Sequence, residues 1–318
     1  MTQAQFTLWP TTKTARLILV SRLTGNMILV TGASGFIGKH LVPLLASFAR
    51  IRCVVRPGSG ARLPQHPSVE VFEHDLSSPE GLEKAVRGVD CVVHSAALTR
   101  KEKISEIRKV NVEATRILVD ACRAQGVKRF LFISTENVLR EDIHDAYAET
   151  KREAENIVRE LPGSLILRPC FVYGAGNTHG LGRLLAMAQK MPVVPLFGGL
   201  KSLIQPIYID DMTEYLVRGI QRNISGEFIV AGSDTLSIND FILKALAVRG
   251  INKSILSVPR WAYTAAAFVG DHLLRSSGWG SIQMKNIYNS KTYPINKTVE
   301  AFGFTPRALN AGLKEWLA

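Results

Sequence analysis

The sequence predicts an α/β fold: a doubly wound parallel sheet followed by a smaller mixed α/β cap. Two observations carry this. From Met27 to about Gly176, short apolar runs alternate with stretches of helical periodicity. Those runs are continuously apolar, as strands buried on both faces of a parallel sheet are.

The elements follow in order. MILVTG (27–32) is a first strand ending in glycine, and FIGKHLVPLLASF (36–48) is a helix with Pro43 inside it. RIRCVVR (50–56) and VEVFEHDL (69–76) read as the second and third strands. SPEGLEKAVRG (78–88) is a helix with a serine cap and a glycine stop. DCVVHSAAL (90–98) is a buried strand, and ISEIRKVNVEATRILVDACRAQG (104–126) is one long amphipathic helix. KRFLFIST (128–135) is the fifth strand, DAYAETKREAENIVRE a further helix, and SLILRPCFVYG (164–174) a strand running into a loop. After Gly176 come a helix, LGRLLAMAQKM, and a Pro/Gly-rich connection, PVVPLFGGLKSLIQP. PIYIDDMTEYLVRGI (206–220) then returns to the sheet, and EFIVAG (227–232) adds a strand. The expected division is 27–176 plus 203–232 for the sheet domain and 177–202 plus 233–318 for a substrate cap. Residues 1–26 contain no acid and read as a disordered leader.

Composition narrows the function. The 318 residues are 46% hydrophobic and 21% charged, enough for a large core. No apolar run approaches the ~20 residues of a membrane span; WAYTAAAFVGDHLL (261–274) is broken by Asp271 and His272. The four cysteines show no CxxC, which fits free thiols in a reducing, cytoplasmic compartment. The seven histidines lack metal-ligand spacing, so no metal is expected. The formal charge is +12, and the first acidic residue is Glu70. Without a nucleic-acid-binding signature, that excess points to a phosphate-bearing small ligand.

The loop TGASGFIG places glycines at 32, 35 and 38 between the first strand and first helix. Backbone N–H groups there can approach a pyrophosphate at the helix N-terminus. The GxxGxxG spacing resembles that of short-chain dehydrogenases/reductases. HDL (74–76), HSAA (94–97), VNVEATRILVDAC (110–122), YAETK (147–151), LRPCFVYG (167–174), IQPIYIDDM (204–212) and GFTPR (303–307) resemble landmarks of their extended branch, the NAD-dependent epimerase/dehydratase family. The resemblance covers 27–318 and implies a Rossmann-type fold. It also implies a cofactor site of Gly32, Ser34, Gly35, Phe36, Ile37, Gly38, Asp75, Leu76, Ser95, Ala96, Ala97, Ser134, Tyr147, Lys151, Pro169 and Val172.

Arg56 ends the second strand, where this family meets the adenosine ribose. An arginine there suits the 2′-phosphate of NADP, whereas an acid suits NAD. No acid lies between Arg56 and Glu70, and Arg62 is nearby in sequence. NADP(H) is therefore preferred, with NAD(H) the alternative.

Tyr147 and Lys151 stand at i and i+4 on one helix face. A tyrosine of pKa ~10 needs ~4 kcal/mol of phenolate stabilisation to work near neutral pH. A lysine ammonium at ~4 Å supplies a similar amount at an effective dielectric of ~20. The resemblance makes Tyr147 the acid/base, with Lys151 assisting. It makes Thr135 the third catalytic group, with Ser134 second. Asn111 reads equally as a catalytic or a buried structural amide.

Two departures refine the function. Thr135-Glu136-Asn137 lacks the Asp-Glu pair of sugar-nucleotide dehydratases, and asparagine cannot serve as the base. Phe171 replaces an asparagine that touches the nucleotide diphosphate in many epimerases. An oxidoreductase acting on a carbonyl or alcohol is expected first. A sugar-nucleotide epimerase with retained cofactor is second, and third is an NADPH-binding structural module resembling the complex I accessory subunit. The cap aromatics Trp261, Tyr263, Phe268 and Trp279 read as cap core or as pocket lining. A homodimer through the long helix and the YxxxK helix is implied by resemblance only.

Overall fold

The computed structural model describes residues 26–99, 103–140, 145–178, 180–265 and 290–317. Most of the expected leader, together with Phe268 and Trp279, lies outside the described residues. Seven strands form the main sheet: β1 (Met27–Thr31), β2 (Arg50–Val55), β3 (Val69–Glu73), β4 (Cys91–His94), β5 (Arg129–Ile133), β6 (Leu165–Pro169) and β11 (Gly226–Val230). Their order is β11-β6-β5-β4-β1-β2-β3, and every pair is parallel. The order reverses between β1 and β4. In such sheets ligands bind beyond the strand C-termini at that point.

Helices cover both faces. Leu41 and Leu45 of α1 (Phe36–Ala46) pack on one face with Tyr215 and Leu216 of α7 (Ile209–Gln221). Leu82 of α2 (Pro79–Val86), Leu118 of α4 (Ala114–Ala124) and Val158 of α5 (Ala146–Arg159) pack on the other. Each such side chain, fully buried, contributes about 1.5–3 kcal/mol. A third cluster joins α6 (Gly180–Lys190), β8 (Val193–Phe197), α8 (Ile238–Val248) and α10 (Leu309–Leu317).

Several expectations change. The long helix is interrupted: α3 (Ile104–Arg108) and α4 flank a π-helical turn, Lys109–Glu113. Hydrophobic periodicity does not register one widened turn. Ser78 is the N-cap of α2, but its side chain makes no cap bond. β3 is half exposed because it is the sheet edge, not a doubly buried strand. The connection after α6 contains β8 and β9 (Leu203–Ile204). β8 pairs in parallel with the distant β13 (Ser254–Val258), a partner that local sequence does not reveal. The return at Pro206 does not enter the main sheet; β10 (Ile207–Tyr208) pairs with β7 (Val172–Tyr173). The helix α1 runs through Pro43, and all four cysteines are buried and free.

Two sequence landmarks meet in space. Asp211 of the IDDM stretch is buried and accepts bonds from the Arg307 backbone N–H at 2.9 Å and from Arg307 Nε at 2.8 Å. The buried Arg218 guanidinium donates to Glu214 at 2.7 Å and to the carbonyls of Phe302 and Gly303. These bonds tie the C-terminal segment to α7 and hence to the sheet.

Candidate active site

The strand C-termini gather the residues singled out from the sequence. Gly32 follows β1 with φ +70°, and a Cβ there would lie 2.7 Å from the Ala96 nitrogen. The loop after β1 therefore packs directly on Ser95 and Ala96 after β4. The Ser95 hydroxyl donates to the Thr31 carbonyl at 2.8 Å, and the Ala96 N–H donates to Thr31 Oγ1 at 3.3 Å. A Cβ on Gly38 would lie 2.4 Å from the Gly32 carbonyl oxygen, so the helix start sits on the loop itself. Gly35 is the N-cap of α1, which has no side-chain cap and no acid in its first turn. Ser34, Phe36 and Ile37 complete this turn. Ser134, Thr135 and Pro169 lie at the ends of β5 and β6, and Val172 opens β7.

The other half of the site lies across β1. Arg56 is exposed at the end of β2, and no acceptor for its guanidinium occurs among the described residues. Asp75 and Leu76 follow β3. The Ser77 N–H donates to Asp75 at 2.9 Å and holds that carboxyl below its ordinary range. The loop after Arg56 is acid-free in sequence but not in space. Glu73 reaches back from β3 and accepts the N–H groups of Gly58 and Gly60 at 3.0 and 2.9 Å.

Tyr147 and Lys151 stand one turn apart on α5. Asp145 caps that helix by accepting the Ala148 N–H at 2.9 Å, which places Tyr147 in the first turn, partly buried. Lys151 is buried. Its Nζ donates to the Ile133 carbonyl at 2.7 Å and lies 3.8 Å from the Phe132 ring centroid. Burial pulls its pKa down to about 7, against a smaller opposing effect of Glu155. A buried lysine with its pKa drawn towards neutrality is the kind of perturbed group found at functional sites.

Asn111 stands on the π-helical turn with its amide fully engaged. Oδ1 accepts the Leu98 N–H at 2.8 Å, while Nδ2 donates to the Leu98 carbonyl at 3.0 Å and Thr150 Oγ1 at 3.1 Å. The arrangement is that of a structural amide joining the loop after β4 to α5.

The Thr135 hydroxyl is bonded on all sides. It donates to Glu136 Oε2 at 3.1 Å and accepts from Asn137 N and Nδ2, both at 3.3 Å. Glu136 is buried and paired with the buried Lys291 at 3.0 Å; Lys291 also donates to Asn137 Oδ1 at 2.9 Å. Lys291 lies 4.8 Å above the Phe171 ring, so that aromatic occupies the underside of the pair. The sequence reading did not single out Lys291: SKTYPINK carries no motif, and its partner is 155 residues away. It also passed over His94. This ring is buried between Thr31 Oγ1 at 2.6 Å and Thr115 Oγ1 at 2.9 Å, and burial lowers its pKa to about 3. A histidine held neutral between two hydroxyls is a strand-to-helix tie. Of the cap aromatics, Trp261 is exposed, whereas Tyr263 is buried and meets Phe197 edge-on.

A dinucleotide fits these residues. The α1 N-terminus is uncapped, the loop glycines permit close backbone approach, and the buried Ser134 hydroxyl has no hydrogen-bond partner. The family described as "NAD dependent epimerase/dehydratase family" matches residues 28–232. The chain belongs to this family. It is an NAD(P)-dependent oxidoreductase of the extended short-chain dehydrogenase/reductase type.

Relatives bear on the activity. A ceramide reductase of Caulobacter vibrioides is 32% identical over 243 residues, spanning 74% of each chain. A 4-hydroxy-2-methyl-3-oxo-4-farnesyl-3,4-dihydroquinoline-1-oxide ketoreductase of Stigmatella aurantiaca is 26% identical over 78% of this chain and 80% of that one. A 3-beta-hydroxysteroid dehydrogenase of Mycolicibacterium neoaurum is 32% identical over 63% of this chain and 62% of that one. Among solved structures, a UDP-N-acetylglucosamine 4-epimerase from Methanobrevibacter ruminantium shares the fold. Its TM-score is 0.73 at 19% identity, covering 93% of this chain and 98% of that one.

Two substitutions test the energetics. Lys151 binds a proton more weakly folded than unfolded, so its burial costs stability below pH 7, and that cost fades as pH rises towards the unfolded lysine value. Lys151→Met should therefore raise the melting temperature of the ligand-free protein at pH 6, with the gain shrinking by pH 9; a pH-independent change would contradict the assignment. Lys291→Met leaves a buried carboxylate unpaired and should cost about 3–5 kcal/mol in urea unfolding. Adding Glu136→Gln should recover much of that loss.

Proposed function

We propose that this chain is an NADP(H)-dependent reductase or dehydrogenase for a carbonyl or alcohol carbon in a largely apolar small molecule. The observation that carries the reading is the buried Lys151, with its pKa near 7, one helical turn from Tyr147 at the end of β5. The names of the three relatives favour an apolar substrate: each acts on a ceramide, a farnesylated ketone or a steroid.

A bound nicotinamide dinucleotide supplies or accepts the hydride. The chain handles the substrate oxygen. In the reduction, Tyr147 gives its phenolic proton to the oxygen as alkoxide character develops. Thr135 turns its hydroxyl from Glu136 to that oxygen, and Lys291 eases the turn by sharing the Glu136 charge. Lys151 holds a proton that can restore the phenol, since its pKa stands near the working pH. Gly32, Gly35 and the α1 N-terminus receive the pyrophosphate, and Ser134, Ser95, Ala96 and Ala97 line the cofactor. Arg56, exposed at the end of β2, would hold the ribose 2′-phosphate, and this supports NADP over NAD. Glu73 lies close by, but two backbone N–H groups already engage its carboxylate.

The sheet domain over 27–176 and 203–232 would hold the cofactor, and the remainder would shape the substrate pocket. Phe171, set against Lys291, offers a diphosphate no hydrogen bond, and this weighs against a nucleotide-sugar epimerase.

Reduction of a medium-chain 2-alkanone, followed by NADPH absorbance, tests the reading. Tyr147→Phe should lower turnover by ~10² or more while NADPH still binds. Unchanged turnover would remove the acid/base role. If neither form turns over any carbonyl while both bind cofactor, the structural-module reading gains. Arg56→Ala should weaken NADPH binding by ~10-fold or more, as loss of a charged hydrogen bond does, and leave NADH within about twofold. Equal losses for both cofactors would overturn the NADP preference.

A further inference from the structure

The cap presents apolar side chains to solvent in one place. The groove between α6, β8, α8, β13 and the helical residues 260–265 has a volume of about 370 Å³ and is lined by Leu184, Met187, Met191, Phe197, Val258 and Tyr263, among others. Large apolar side chains stand exposed at its rim: Met187 at 41%, Met191 at 38%, Leu256 at 57% and Trp261 at 73%. Leu256 alternates with Val258 along β13 and so shares its face, beside Pro195 of the same groove. Trp261 precedes Ala262 and Tyr263, both in the groove wall. Soluble monomers rarely leave such a grouping uncovered unless it meets a partner.

Charge identifies the partner. The stretches that build this surface, 180–205 and 238–265, contain seven lysines and arginines against one acid, Asp240 in the first turn of α8. Lys190 is exposed next to Met191, and Lys244 is exposed on α8. Lys253 caps the end of α6, its Nζ donating to the carbonyls of Gln189 and Met191 at 2.5 and 2.7 Å. An apolar centre carrying an exposed tryptophan, set in a predominantly basic surround, matches the boundary of an anionic bilayer: headgroups meet the lysines and acyl chains meet the methionines and tryptophan. Double-stranded nucleic acid would use the charge and leave the apolar centre unmatched. A protein partner would call for acids that this surface has no specific arrangement to read.

We propose that this face of the cap docks the protein on an anionic lipid surface, with Trp261, Leu256, Met187 and Met191 entering the interface and the groove able to receive an acyl chain. The surface lies in the segments proposed to shape the substrate pocket, but it contains none of the catalytic assignments and does not depend on them.

Flotation with vesicles tests it, using the full chain without substrate. Vesicles containing about one-third phosphatidylglycerol should carry the protein up the gradient, and pure phosphatidylcholine should carry at least tenfold less. Each basic side chain near an anionic surface is worth about fivefold in partition. Trp261→Glu with Leu256→Glu should reduce partition to anionic vesicles by tenfold or more. Lys190→Glu with Lys244→Glu should do the same and leave the apolar rim intact; the melting temperature of each variant reports whether it is folded. Binding of wild type should weaken in raised salt. Wild-type protein that stays with the solution fraction overturns the proposal, as does equal binding to both vesicle types. If light scattering finds a dimer that Trp261→Glu splits, and no vesicle binding, a second copy of the chain covers this face and the lipid assignment fails. Loss of carbonyl reduction alone leaves the flotation result unchanged, so the two readings fail separately.

Discussion

A parallel sheet covered on both faces has no place for polar chemistry along its strands. Thr31, His94 and Lys151 are nearly inaccessible, and each is satisfied by a short bond within the protein. Polar groups can meet a ligand only where the strands stop, and the reversal of order between β1 and β4 opens that edge. Gly32, Ser95, Ser134 and Thr135 are neighbours in the fold because they are strand-terminal. Their closeness is a consequence of sheet geometry, and the substrate-handling residues inherit it.

The same burial sets the electrostatics. Lys151 loses most of its preference for the charged form because burial strips its ammonium of hydration, which the bond to the Ile133 carbonyl and the Phe132 ring only partly replace. A solvated lysine at this place would hold its proton too tightly to exchange it near neutrality. On the proposed mechanism, the stability cost at that residue accompanies a useful proton affinity. At Glu136 the solution is different. There a second buried charge, Lys291, arrives from the C-terminal segment, and Asn137 fills its remaining donor capacity. The end of β5 and the segment around Lys291 are thereby joined beside Thr135.

Much of this was legible in the sequence, for a local reason. Apolar runs and helical periodicity report on neighbours within a few residues, so the strands, the glycine loop and the i, i+4 placement of Tyr147 and Lys151 were readable. Contacts between distant residues were not. Lys291 meets Glu136 across 155 positions, and β8 finds its partner only at β13. Glu73 lies beyond Glu70, the acid that ends the acid-free interval, yet its carboxylate sits on Gly58 and Gly60. The π-helical turn at Asn111 widens a helix without altering which face is apolar. Asn111 itself was evenly balanced from sequence, and only its three bonds decide for a structural role.

The positive charge also divides in a way that composition conceals. The acid-free stretch before Glu70 points to a phosphate-bearing ligand, but the total of +12 extends well beyond it. In the fold it serves two settings. Arg56 stands at a strand end beside the dinucleotide loop, where a single arginine can discriminate a phosphate through directed hydrogen bonds. The cap's lysines and arginines are spread over α6, α8 and their flanking loops, with no common focus, and they outnumber the acids there, Asp234 and Asp240. A dispersed field cannot select one small anion, because no point receives several donors at bonding distance. It can attract an extended anionic surface, where every charge contributes whatever its exact position. Focused charge therefore suits the proposed ribose phosphate, and dispersed charge around an apolar centre suits the proposed lipid surface, which is larger than any substrate.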